Sequence, residues 1–225
     1  MPGGTALSGA VPLSRRWFPA VAGMAGCAVA AFTARGRGRE LNERAYRALN
    51  GTGGHRAGTT FRAITELGSI WASVGATVVL SAAGRRREAV NALGAAGTTW
   101  LAGQALKKVY LRPRPYHALP DVRLLIGEPR GASWPSSHPA VLLAFLTVAS
   151  RNLDLSAPVR LVLAGLAGTV GLSRVYLGVH YPADVAGGLL LGRGMADLWS
   201  AALPAGALQA LEGGRARLPR RARVQ

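Results

Sequence analysis

The stretch Ser173-Arg174-Val175-Tyr176-Leu177-Gly178-Val179-His180-Tyr181-Pro182-Ala183-Asp184 decides how the remainder of this 225-residue chain is read. Pro182 suits the first turn of a helix, where its missing N–H costs no hydrogen bond. Asp184 then falls in that first turn, where a carboxylate complements the helix dipole. From there it can reach back to the ring of His180. A carboxylate on one imidazole nitrogen fixes the tautomer and leaves the other nitrogen free to react, as in nucleophile–orienter pairs generally. Arg174 adds a planar guanidinium fork suited to phosphate. Taken alone, the same residues also read as a loop histidine and a helix-capping aspartate.

Working outward, two further stretches join it. Lys107-Lys108-Val109-Tyr110-Leu111-Arg112-Pro113-Arg114-Pro115 holds a lysine, six residues and then Arg-Pro, and Trp134-Pro135-Ser136-Ser137-His138-Pro139 holds Pro-Ser-x-His. In order, the chain reads KxxxxxxRP, PSxH and SRxxxxxHxxxD. This pattern resembles the signature of the type 2 phosphatidic acid phosphatase family, whose site is shared with vanadium haloperoxidases. The resemblance runs from about Leu101 to Ala201. It implies that His180 is the nucleophile, Asp184 its orienter and His138 the general acid and base. It implies that Lys107, Arg114, Ser136, Ser137 and Arg174 bind the phosphate, with no metal or other cofactor. One position departs from the family pattern: Ser137 stands where glycine is usual, keeping the backbone N–H but adding a hydroxyl.

Composition bounds the alternatives. Lys and Arg number 27 against 10 acids, a formal charge of +17. The basic residues cluster between apolar segments, as in juxtamembrane loops, and no nucleic-acid motif accompanies them. The expected partners are therefore a bilayer and a lipid phosphate substrate, not nucleic acid. Oligomeric state has no signature in the sequence. Cys27 is the one cysteine, which excludes an internal disulfide. Neither CxxC nor HExxH spacing occurs, so a zinc site is not expected.

The apolar segments predict an all-α, polytopic membrane bundle of six transmembrane helices. These are Trp17–Phe32, Ala63–Ala83, Ala89–Leu106, a helix starting near His138 and running through Val148, Arg160–Leu172, and Ala183 to about Leu203. Several fall short of the about 20 apolar residues a bilayer requires, so their polar flanks must complete them. Trp17–Phe32, preceded by Ser14-Arg15-Arg16, also admits reading as an export signal. Residues 1–13 are expected to be disordered, 14–212 to form a single phosphatase domain, and 213–225 to be a basic cytoplasmic tail. Glu40–Leu49 reads as a short interfacial helix resting on Leu41, Tyr46 and Leu49. Residues 107–137 read as a long loop, and Gly165, Gly168 and Gly171 as a smooth packing face. Arg193 and Asp197 are spaced to pair on one helix face.

Loop charge sets the orientation. Arg85–Arg87, Arg151, Arg160 and the basic tail fall on one side, which should be cytoplasmic together with both termini. The three motifs fall on the extracytoplasmic side, and only Arg35 to Arg47 run against the rule. A site at that surface suits phosphatidate, phosphatidylglycerol phosphate, or a polyprenyl phosphate or diphosphate. The alternatives are a non-catalytic lipid-phosphate-binding or scaffold protein, and a haloperoxidase-like enzyme on the same site.

Overall fold

The computed structural model describes residues 21, 23–28, 37–52 and 54–203. The predicted N-terminal disorder, the basic tail and most of the Trp17–Phe32 segment lie outside them. Among the described residues all extended regular structure is helical: α1 (Arg37–Leu49), α2 (His55–Glu66), α3 (Ile70–Ala82), α4 (Arg86–Tyr110), the single turn α5 (Pro115–Ala118), α6 (Ser137–Asn152), α7 (Ala157–Tyr176) and α8 (Pro182–Ala202).

The long helices α4, α6 and α8 form the centre of the bundle. Helix α4 lays Ala92, Ala95 and Ala96 against Val141, Ala144, Phe145 and Val148 of α6, with Ala196 of α8 closing the cluster. Small side chains permit this close approach. Gly188 of α8 sits so near the backbone of Ser136 that a Cβ there would collide with the Ser136 carbonyl oxygen. That contact fixes the start of α6 against the first turns of α8. Residues 23–28 are helical, and buried Cys27 donates its Sγ–H to the Gly187 carbonyl at 3.0 Å.

Several expectations change. The single span over Ala63–Ala83 is broken: α2 and α3 meet at an angle of 63°. The break has a local cause, because Ser69 caps α3 by accepting the Ala72 N–H on its Oγ at 3.0 Å, and Gly68 interrupts the apolar run. Helix α4 continues to Tyr110, so Lys107 lies in its last turn and not in the loop. The glycine face on α7 is not a face: a Cβ at Gly165 or Gly168 would meet nothing within 4 Å, and only Gly171 abuts a neighbour, Val185. On α1, Tyr46 is buried and Leu49 packs beside it, but Leu41 remains 70% exposed.

Among the described residues one helix, α7, is long and apolar enough by itself to cross a membrane. The bent pair α2–α3 passes only as a single broken span. Helices α4 and α8 do not, because the charge-free stretch of α4 is diluted by Asn91, Gln104, Thr98, Thr99 and its glycines, and α8 carries Arg193 and Asp197 within its apolar run. The Arg193–Asp197 pair is formed, with Nε donating to Oδ2 at 2.8 Å, and Arg151 of α6 reaches the other oxygen of the same carboxylate.

Candidate active site

Helix α7 delivers Arg174 at its C-terminal end, and the turn Leu177–Tyr181 then carries His180 to the start of α8. Pro182 occupies the first turn of α8, and Asp184 follows it there. The Tyr181 N–H donates to Asp184 Oδ2 at 2.8 Å, so the carboxylate caps the helix while facing the histidine. His180 and Asp184 are both fully enclosed, at 2% and 0% exposure.

The ring of His180 is held from both sides. Arg114 Nη1 lies 3.3 Å from Nε2. A guanidinium can only donate, so Nε2 presents its lone pair and the proton sits on Nδ1. That nitrogen faces Asp184 Oδ2 at 3.6 Å, beyond hydrogen-bond length. Ser133 bridges the gap: its hydroxyl donates to Asp184 Oδ2 at 2.6 Å, and its oxygen lies 3.5 Å from Nδ1. Burial pushes the His180 imidazole down to about 3, against the opposing pull of Asp184. The ring is therefore neutral at ordinary pH, as a nucleophile must be.

Arg114 is 3% exposed and anchored to the carbonyls of Gly131 at 2.9 Å and Val179 at 3.1 Å. Burial lowers its pKa. The N-terminus of α6 brings in the middle motif, with Ser136 at the N-cap and Ser137 and His138 in the first turn. The Ser136 N–H donates to the Asp184 carbonyl at 2.9 Å, tying this motif directly to the last one. His138 lies within the electrostatic reach of Arg174, His180, Lys107 and Arg114. Lys107 in turn interacts with Arg114, Arg174 and Asp184. Gly68, at the break between α2 and α3, makes room for His138; a Cβ there would stand 2.7 Å from the His138 Cβ and 2.6 Å from Val170 Cγ1.

Three buried polar atoms in this cluster lack a protein partner: Ser136 Oγ, Ser137 Oγ and Arg174 Nε. Leaving such groups unpaired is costly, and a bound tetrahedral anion would satisfy donors of this kind. Ser137, at the usual glycine position, turns its Oγ toward Gly103 of α4, where even an added Cβ would come within 3.3 Å.

The structure thus brings Lys107, Arg114, Ser136, Ser137, His138, Arg174, His180 and Asp184 to one end of the bundle. It adds residues that the motif spacing does not include. Arg112 Nη1 donates to Asp184 Oδ1 at 2.8 Å while its guanidinium carbon lies 4.4 Å from the Tyr181 ring centroid. Ser133 forms the bridge described above. Thr65 Oγ1 accepts from Arg174 Nη1 at 2.9 Å. Arg112 and Ser133 stand within three residues of motif positions, which is the only hint the sequence offers. Tyr181 and Trp134 are buried walls, packed on Tyr46 and Tyr110 respectively.

An all-helical bundle with guanidinium groups around a buried His–Asp pair has the design of a phosphate-handling enzyme. A family model described as the PAP2 superfamily matches residues 88–205. The chain belongs to that superfamily, and with it to the phosphatases. It is 32% identical over 142 residues to decaprenylphosphoryl-5-phosphoribose phosphatase of Mycolicibacterium smegmatis, covering 63% of this chain and 68% of that one. It is 39% identical over 101 residues to undecaprenyl-diphosphatase BcrC of Bacillus subtilis, covering 43% of this chain and half of that one. Among solved structures, the transmembrane PAP2 type phosphatidylglycerolphosphate phosphatase of Bacillus subtilis superposes with a TM-score of 0.71 at 23% identity, over 91% of this chain and 99% of that one. LpxE of Aquifex aeolicus superposes with a TM-score of 0.63 at 28% identity, over 70% and 94%.

Proposed function

We propose that the protein is an integral-membrane phosphatase that removes phosphate from a polyprenyl phosphate or diphosphate through a phosphohistidine on His180. The observation that carries the mechanism is the polarity of His180: Nε2 is turned to Arg114 at 3.3 Å and Nδ1 to the Asp184–Ser133 pair. A phosphoryl group docked beside Arg114 would lie next to the nitrogen lone pair. The polyprenyl class is favoured because the Mycolicibacterium and Bacillus relatives, 32% and 39% identical, carry names of that class, whereas a phosphatidylglycerolphosphate phosphatase shares the fold at 23% identity.

In the first step Nε2 of His180 attacks phosphorus, the P–O bond to the leaving group breaks, and His138 donates a proton to the departing oxygen. In the second, His138 takes a proton from water, the water oxygen attacks phosphorus, and the P–N bond breaks to release inorganic phosphate. Phosphoryl transfer asks chiefly for positioning and charge neutralisation. Lys107, Arg114 and Arg174 supply that charge, and the N–H groups at the start of α6 add a helix-terminal anion site. His138 stands in a field of positive groups. An arriving phosphate dianion neutralises that field and allows the ring to take up the proton it later donates.

We read the chain as crossing the bilayer six times, with the polar helix ends completing the shorter passages and the site at the extracytoplasmic surface, a reading that rests on the apolar segments and the loop charges of the sequence. A lipid then keeps its tail in the membrane and offers its phosphate to His180. The test is phosphate release by purified protein from undecaprenyl diphosphate, a polyprenyl monophosphate, phosphatidate and phosphatidylglycerol phosphate, with and without chelator. The proposal predicts preference for the polyprenyl substrates, insensitivity to chelator and loss of turnover in His180→Ala. Preference for a diacyl substrate would overturn the substrate class, and unchanged turnover in His180→Ala would overturn the mechanism.

A further inference from the structure

The end of the bundle opposite the histidines holds a polar feature that this reaction does not use. Arg151 near the end of α6, Arg160 in the first turn of α7 and Arg193 of α8 line one pocket of about 250 Å³, together with Leu143, Leu146 and Leu163. Asp197, 5% exposed, ties two of these arginines: Arg151 Nη2 donates to its Oδ1 and Arg193 Nε to its Oδ2 at 2.8 Å. Arg151 also reaches Ser200 Oγ at 3.3 Å. One carboxylate thus orients two guanidinium groups but offsets a single charge. Arg160 pairs only loosely, at 3.7 Å, with Asp154, whose side chain is fully exposed; such a pair contributes little. The pocket keeps excess positive charge, at positions fixed by a buried acid, above an apolar floor.

Its place in the fold suggests what it meets. His138 and Arg151 are 13 residues apart on α6, about 20 Å at 1.5 Å per residue. Arg174 and Arg160 are 14 apart on α7, about 21 Å by the same rise. In a hydrocarbon layer of about 30 Å, the pocket therefore belongs to the leaflet opposite the site. Beside Arg160, α7 exposes Leu161 and Val162 at 75% and 72%, an outer surface fit for acyl chains. Basic pockets between membrane helices hold anionic lipid headgroups.

We infer that this pocket binds the phosphate of an anionic phospholipid from the leaflet opposite the reaction, with its acyl chains along the outer face of α7. The lipid is not a substrate, since the histidines lie at the other end of the bundle. It would bridge α6, α7 and α8, the helices that position His138, Arg174 and His180.

The test uses full-length protein in nanodiscs of phosphatidylcholine with or without phosphatidylglycerol, and retained lipid is counted by native mass spectrometry. Wild type should retain phosphatidylglycerol over phosphatidylcholine about tenfold, the equivalent of one charge-assisted contact. The double variant Arg160→Gln/Arg193→Gln should lose most of that preference and still release phosphate from substrate. Arg160→Gln alone, which disturbs no buried pair, should show a partial loss and serves if the double variant fails to fold. Arg174→Gln, at the other end, should keep the preference. An absent preference in wild type, an unchanged one in the Arg160 variants, or one lost in Arg174→Gln would overturn the assignment. Displacement of the lipid by millimolar inorganic phosphate would do the same, by identifying a site for soluble anions.

Discussion

Arg112 donates to Oδ1 of Asp184 at 2.8 Å, inside a pocket where Asp184 itself is wholly buried. With Ser133 and the Tyr181 N–H on Oδ2, the hydrogen bonds to the Asp184 carboxylate fix the plane it presents to His180. Arg112 is thus a positioning residue that acts through the carboxylate. Removing a charge-assisted hydrogen bond of about 1.5–3 kcal/mol predicts that Arg112→Gln lowers kcat about ten- to a hundredfold, with KM little changed. Arg112→Lys should restore part of the rate. A rise in KM at constant kcat would show that Arg112 meets the substrate instead.

Ser133 gives a second prediction. Without its hydroxyl, Nδ1 of His180 retains only the 3.6 Å approach to Asp184. Ser133→Ala should lower kcat by about tenfold, comparable to one neutral hydrogen bond, and Ser133→Thr should recover it if the methyl group fits. A Ser133→Ala enzyme with wild-type kcat would remove the bridge from the account.

If His138 protonates the leaving oxygen, the cost of losing it depends on that oxygen. His138→Gln should reduce turnover of an alkyl phosphate by about 10²–10⁴-fold, yet affect p-nitrophenyl phosphate much less in the step that expels the leaving group. Single-turnover rates on the two substrates provide the comparison. Equal losses on both would assign His138 to phosphate binding.

The pH dependence of stability follows from His180. Its folded pKa, about 3, lies below the usual histidine value near 6.5. Between those values the unfolded chain binds the extra proton, so stability rises with pH across that window and is lost as pH falls from about 6.5 toward 3. Thermal unfolding of wild type and His180→Asn from pH 7 to pH 4 should show the smaller acid-induced drop in the variant. Parallel curves would mean that this ring is not the buried neutral group described.

Gly68 tests how the broken helix serves the site. Gly68→Ala would push a methyl group against Val170 and His138, an overpacking cost of about 1–3 kcal/mol. The expectation is a lowered Tm together with reduced kcat, whereas Gly165→Ala, which meets open space, should leave both near wild type.

The three motifs, through the family they resemble, name side chains that the structure brings to one end of the bundle, since groups that surround one anion are constrained in type. The supports of those side chains were not legible. Arg112, Ser133 and Thr65 reach Asp184, His180 and Arg174 across 72, 47 and 109 residues of chain, and such contacts follow from packing, which leaves no local pattern. The break at Leu67–Ser69 was hidden by an apolar run whose continuity suggested one straight span. Lys107 reads as loop from the sequence because the apolar residues of α4 end just before it, although its helix runs on to Tyr110. The Arg193–Asp197 pair was visible from its spacing; the third member, Arg151, comes from another helix.

The most direct test is to trap the phosphoryl group. Full-length protein is mixed with a polyprenyl diphosphate, quenched under alkaline conditions within one turnover, and digested for mass spectrometry. The account predicts an acid-labile, base-stable phosphoryl adduct on His180, more abundant in His138→Gln if hydrolysis is slowed more than transfer, and absent in His180→Ala. Turnover with no adduct at any quench time, or an adduct on another residue, would contradict it.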